Sequence, residues 1–166
     1  GAVITVVSGD VSIMSELRSA VAAIGDSGLT LKAVVHCAGE LNDAALTRHT
    51  RDTFEATMAA KIHGSMNMHR LFSGRRLEFM VYFSSVASVL GWPGQANYAA
   101  ANAFMDALAH YRQARGLSAL SINWGAWKSG GMINATKASS GDVFSGFGIR
   151  PMDNRSAVAE MLARLR

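Results

Sequence analysis

The chain has a single cysteine, Cys37, in 166 residues. That excludes an internal disulfide and makes a reducing cytosol the simplest setting, so a cytoplasmic location is expected. No apolar run reaches the ~20 residues that a membrane-spanning helix needs, and no secretory signal opens the sequence. Charge is scarce as well: 17% of residues are charged and 49% are hydrophobic. The net charge of +4 is spread along the chain, with Arg75-Arg76 the only adjacent basic pair. A nucleic-acid reader concentrates Lys and Arg on one face with aromatics between them, so this footprint speaks against nucleic acid as a partner. His36, His49, His63, His69 and His110 show no close metal-ligand spacing with Cys or acids, and no metal site is expected. The last absence bears most on function: no glycine-rich dinucleotide loop follows a strand, since Gly25 and Gly28 instead close a helix.

What is present alternates. Residues 3–8, 31–37, 77–83 and 120–124 are apolar and rich in β-branched residues, which predicts four buried strands. Between them, helices are predicted from Ser12, with Glu16 in its first turns, to about residue 24, then from Thr50 or Asp52 to Gly74, and from about residue 96 to Gly116. In the second of these, Phe54, Met58, Ile62, Met66 and Leu71 form one core-facing stripe. Residues 128–150 are rich in Gly and Ser and predict a substrate lid, and residues 153–166 a closing helix. Strands alternating with helices imply a doubly wound parallel α/β sheet in one domain. Ligands bind such sheets at the carboxyl ends of the strands, which places Gly9-Asp10, Ala38-Gly39, Ser84-Ser85 and Trp124-Gly125 along one crevice.

Tyr98 and Asn102 are one turn apart on a predicted helix, and Ser85 follows a strand that ends beside it. A phenol can protonate a carbonyl oxygen, and a serine hydroxyl can hold the same oxygen. An unperturbed tyrosine titrates near pH ~10, so a tyrosine acid needs a neighbouring cation, and Lys61 is the candidate. Singly, each residue has a plain reading: Lys61 an exposed helix lysine, Ser85 a turn residue, Tyr98 a packing aromatic, Asn102 a surface amide. No Gly-x-Ser-x-Gly elbow surrounds Ser85, which argues against a serine hydrolase. Met14, Met58, Met66, Met68, Met105 and Met161 fall at helix core spacing and read as packing.

The runs at 81–88 (Val-Tyr-Phe-Ser-Ser-Val-Ala-Ser) and 94–104 (Gly-Gln-Ala-Asn-Tyr-Ala-Ala-Ala-Asn-Ala-Phe) resemble the ketoreductase domain of modular polyketide synthases. That domain belongs to the short-chain dehydrogenase/reductase superfamily. Residues 34–39 resemble its cofactor-side strand end, and residues 122–127 its segment before the substrate lid. Most of the superfamily carries a lysine four residues after the tyrosine. The polyketide ketoreductases are similar to this chain in having Asn there and Lys on the preceding helix.

The resemblance implies a Rossmann-like fold and NADPH-dependent reduction of a β-ketoacyl thioester on an acyl carrier protein, among the other domains of a synthase. It implies that Tyr98 is the proton donor and that Ser85 holds the substrate oxygen. Lys61 lowers the tyrosine pKa and binds the cofactor ribose, and Asn102 completes a proton relay through water. Asp10, Val11, Ala38, Gly39 and Gly125 are the expected cofactor contacts, with Lys61 and Tyr98. Asp43, Leu90, Pro93, Asn97 and Met132 are the expected substrate side. Pro93 and Asn97, with Leu90 where the opposite class carries tryptophan, imply a D-configured alcohol, although Leu41-Asn42-Asp43 replaces the family's Leu-Asp-Asp. The family's first strands and phosphate loop have no counterpart in residues 1–24. The chain is therefore expected to be part of a larger polypeptide, to bind NADPH poorly alone and to aggregate. A scaffold without catalysis is the competing expectation.

Overall fold

The computed structural model describes residues 2–25, 28–129, 148 and 150–165. Two compact units are present, residues 1–122 and residues 123–166.

The first unit is built on strands β1 (Ala33–His36) and β2 (Phe79–Ser85), and strand β3 (Leu120–Trp124) begins in it. The sheet order is β1-β2-β3. β1 and β2 run parallel, in a register that sets Ala33 opposite Phe79 and His36 opposite Tyr82. Met80, Val81 and Tyr82 are all fully buried, so both faces of β2 are covered, as in a doubly wound α/β sheet. The core on one face joins Met80 and Tyr82 to Leu17 of helix α1 (Met14–Gly25), Met68 and Phe72 of α3 (Gly64–Phe72), and Met105, Leu108 and Ala109 of α5 (Ala96–Gln113). A short helix, α4 (Ala87–Leu90), leaves the end of β2. Among the described residues no helix is long and apolar enough to cross a membrane.

Three sequence expectations are corrected. Residues 3–8 form no strand: Val3, Ile4 and Val6 are largely exposed and pair with nothing among the described residues. Apolar β-branched composition does not make a strand without a neighbouring edge to bond. Ser84 and Ser85 belong to β2 rather than following it. Finally, α1 is led by Asp10 rather than Ser12: Asp10 Oδ1 accepts from Ser12 N at 2.8 Å, and Glu16 Oε2 accepts from Asp10 N at 2.7 Å.

The long helix expected from Thr50 to Gly74 is present but not uniform. Helix α2 (Arg51–Met58) opens with a capping box between Thr50 and Thr53. Residues Ala59–His63 then wind as one π turn, with Gly64 N donating to Ala59 O, before α3 continues. Such turns are rare and cluster at functional sites. Lys61 lies in its middle.

In the second unit, Met152 bonds across the chain: Met152 N donates to Ala126 O at 2.7 Å and Lys128 N to Met152 O at 2.9 Å. Trp124 and Trp127 lie with ring centroids 4.8 Å apart. Helix α6 (Asn154–Arg164) is capped by Asp153, which accepts from Ser156 N. Most of the expected lid at 128–150, Met132 included, lies outside the described residues.

Candidate active site

Lys61 is 2% exposed. Its ammonium donates to Phe83 O at 3.0 Å and lies 5.4 Å from the centroid of the Tyr98 ring. Lys61 makes these contacts from the middle of the π turn, beside the end of β2. Burial pushes its pKa down to about 8, against the opposing charges of Cys37 and Asp106. An ammonium has three N–H donors, and Phe83 takes one of them. The others have no partner among the described residues.

Tyr98 opens α5. Asn97 just before it is fully buried and accepts from Tyr98 N at 2.8 Å. Its amide donates to Asn42 O and to Thr57 Oγ1, both at 3.0 Å. Asn97, expected on the substrate side, thus spends its polar atoms tying the 42–44 loop and α2 to the start of α5. The same loop is held at two more points: Ala44 N donates to Gly94 O at 2.9 Å, and Gln95 Nε2 to Asp43 Oδ2 at 2.8 Å. Gly94, at φ +81°, takes a backbone shape that disfavours other residues, in a turn that lies against Ala44. The phenol of Tyr98 sits above its usual pKa because burial outweighs the hydrogen-bonding influence of Ser85 and Asn102. The hydrogen bond to Phe83 O leaves the Lys61 ammonium its charge, 5.4 Å from the centroid of the ring.

Asn102 is fully buried. Its Nδ2 donates to Tyr98 O at 2.7 Å, and its backbone carbonyl accepts from Ser84 Oγ at 3.3 Å. Asn102 Oδ1 is buried with no hydrogen-bond partner among the described residues. An acceptor in that condition fits a water, since buried polar atoms are almost always satisfied. Ser85, half-buried at the end of β2, accepts from Ala87 N at 3.2 Å. The structure therefore brings Lys61, Ser85, Tyr98 and Asn102 to one place.

The expected cofactor residues fall in two groups. Asp10 and Val11 form a turn clamped by Asn67, whose Nδ2 donates to Val11 O at 3.1 Å and Ser12 O at 2.8 Å. Gly64 makes room for that turn: a methyl group there would meet Val11 Cγ2 at 2.7 Å. Ala38 and Gly39 are half-buried just past β1, while Gly125 lies in the second unit against Met152. Leu90 and Pro93 are exposed. His36, at the end of β1, meets Tyr82 edge-on, and burial with the nearby Lys61 charge pushes its pKa down to about 4. Sequence reasoning missed Thr57, Asn67 and Asp106. Only Asp106 left a signal, one turn past Asn102 on the same face of α5.

Comparison with known proteins agrees with this arrangement. The KR domain family matches residues 1–129. The phthioceranic/hydroxyphthioceranic acid synthase of Mycobacterium tuberculosis is 38% identical over 139 residues, 84% of this chain and 6% of that protein. A phenolphthiocerol-synthesis polyketide synthase of the same species, Pks1, whose name describes it as inactive, is 38% identical over 160 residues, 95% of this chain and 10% of that protein. This chain thus spans about a tenth or less of these curated relatives. Among solved structures, A-type ketoreductases from a modular polyketide synthase superpose with a TM-score of 0.89 at 34% identity, covering 97% of this chain and 34% of theirs. Their parallel sheet with flanking helices is the Rossmann-like fold seen here. On the sequence match, the shared fold and the gathered Lys, Ser, Tyr and Asn, the chain belongs to the KR domain family of polyketide synthase ketoreductases.

Proposed function

We propose that this chain reduces a β-ketoacyl thioester, borne on an acyl carrier protein, to the β-hydroxyacyl product with NADPH, as one domain of a cytoplasmic polyketide synthase. The observation that carries the proposal is the buried contact of Lys61, Tyr98 and Asn102 at the end of β2, with an unsatisfied Asn102 Oδ1 inside it. These residues fit a nicotinamide cofactor: the ammonium keeps donors for ribose hydroxyls, and the bare Cα of Gly39 allows close approach of a ring. Asp10 and Val11 stand ready on the adenine side.

When bound, the nicotinamide supplies a hydride to the carbonyl carbon. Ser85 hydrogen-bonds the substrate oxygen and stabilises the charge that builds on it. Tyr98 then gives that oxygen its proton. The raised phenol pKa suits this direction, because the acid must be protonated at rest and needs only to be stronger than the alkoxide it serves. Asn102 Oδ1 holds the water through which Tyr98 recovers its proton. Leu90, Pro93 and Asn97 support a D-configured alcohol. In that account Asn97 acts by fixing the 42–44 loop, with Asp43 latched to Gln95, as the wall of the substrate entrance.

The test is NADPH oxidation with a β-ketoacyl thioester, in the polypeptide that carries this chain, beside Tyr98→Phe, with chiral analysis of the alcohol. Turnover abolished by Tyr98→Phe and a D-configured product are expected; an L-configured product would overturn the stereochemical assignment. The relative named as inactive supports a second reading, a reductase-like domain that serves only as scaffold. A folded protein that binds NADPH and does not turn over would decide for it.

A further inference from the structure

Asp106 takes no part in the chemistry above, yet three elements of the site meet on its carboxylate. It lies on α5 one turn past Asn102 and two turns past Tyr98, on the same face. Its Oδ1 accepts from Ser121 Oγ on β3 at 2.5 Å, and its Oδ2 from Ser88 Oγ on α4 at 2.7 Å. Ser88 Oγ also reaches the backbone carbonyl of Ser85 at 2.8 Å. A hydroxyl carries one proton, so Ser88 shares it between the carboxylate and the backbone of the oxyanion-holding serine. Hydrogen bonds to a carboxylate are roughly twice as strong as neutral ones, so this joint holds more firmly than a neutral one would.

We propose that Asp106 is a positioning residue for the reductase site: through Ser88 it fixes Ser85 at the end of β2, and through Ser121 it locks the tyrosine helix to β3. The inference rests on the reductase reading. The carboxylate is also a counter-charge to Lys61, whose other charged or titratable neighbours are Cys37 and His36 past and at the end of β1 and Tyr98 on α5. Removing it leaves the ammonium with less support.

The test compares Asp106→Asn, Ser88→Ala and the double variant with the parent and with Tyr98→Phe. The Asn side chain preserves shape and removes the charge, and because it has one acceptor oxygen where the carboxylate has two, one of the two serines loses the acceptor for its proton. The expected result is a kcat lower by about tenfold in each single variant, with KM within about threefold, because misplacing Ser85 weakens only the transition state. Since both residues act along one chain of bonds, the double variant should lose no more than the worse single. Independently of turnover, the Lys61 ammonium, followed by NMR of carbon-labelled lysine, should titrate at lower pH in Asp106→Asn. Ser88→Ala removes the same bridge without altering α5, so the idea stays testable should Asp106→Asn fold poorly. Wild-type kcat in both single variants, losses that multiply in the double, or an unmoved Lys61 titration would overturn it. Tyr98→Phe separates the cases: turnover lost there but kept in the Asp106 and Ser88 variants overturns this inference alone, whereas turnover kept in Tyr98→Phe overturns the reductase reading on which it rests.

Discussion

Residues 3–7 (Val-Ile-Thr-Val-Val) and residues 79–83 (Phe-Met-Val-Tyr-Phe) are both apolar and extended, and composition alone assigns a buried strand to each. In the structure Val3, Ile4 and Val6 are 93%, 84% and 89% exposed, whereas Met80, Val81 and Tyr82 are 0% exposed. The difference lies in their neighbours. β2 has a strand on either side and a packed face formed by α1, α3 and α5, so its backbone and side chains are all satisfied. The leading segment touches nothing comparable until Asp10–Ser12, where Asn67 takes hold of two carbonyls and Gly64 admits Val11. Strand propensity describes residues that suit a half-buried pleated surface, and the surface must be supplied by something else.

Four measurements break or sharpen this contrast. Tyr82→Ala, emptying the most buried aromatic of β2, should cost about 4 kcal/mol in chemical denaturation. A loss below about 1 kcal/mol would mean that β2 is not the packed centre of the unit.

Lys61→Met tests the charged interior next to that strand. With its pKa lowered to about 8 from an ordinary 10.5, folded Lys61 gives up its proton more readily than unfolded Lys61. The unfolded chain therefore binds more protons between pH 8 and 10.5, and stability should rise with pH across that window, by up to about 3 kcal/mol. Lys61→Met should flatten the rise while abolishing reduction; an equal slope in both proteins would show that the ammonium is not desolvated.

Gly64→Ala, at the border where the free segment becomes anchored, should cost about 2 kcal/mol, because the added methyl must displace Val11 or α3. It should also weaken nucleotide binding more than Ser73→Ala does at the exposed end of the same helix; equal binding in the two would detach the Asp10-Val11 turn from cofactor recognition.

The smallest effect is the other half of the comparison. Val6→Ala should change stability by less than about 0.5 kcal/mol. A larger loss would show that the segment has a partner in solution.

The legibility of the chain follows the same division. Ser85, Tyr98 and Asn102 could be placed near one another from the sequence because each is tied to a local pattern, a strand end, a helix start and one helical turn, whereas Lys61 came with the family resemblance. β3 occupies the predicted residues 120–124, since a short apolar run between a helix and a turn has few other fates. Residues 3–8 misled because an apolar run reads the same with or without a partner. The buried role of Asn97 was hidden for a different reason: its acceptors, Asn42 O and Thr57 Oγ1, are far away in sequence. The raised pKa of Tyr98 was also out of reach, because burial outweighs its hydrogen bonds, and how deeply a side chain is buried is set by tertiary packing.

The π turn at Ala59–His63 has a consequence for anyone who edits or aligns this region. Each α-helical residue advances the rod by about 100°, and a π turn inserts one residue beyond the regular count. Upstream of it Thr57 answers Asn97, and downstream Asn67 answers the turn at Val11 and Ser12, so the two halves of one rod are set to different phases. Deleting a single alanine from this stretch would restore the regular count: the faces at Thr57 and Asn67 would keep their places, while the lysine would be carried away from Phe83 O. Spacing here is part of the candidate site, and a gap misplaced by one residue would shift the lysine without removing one side chain.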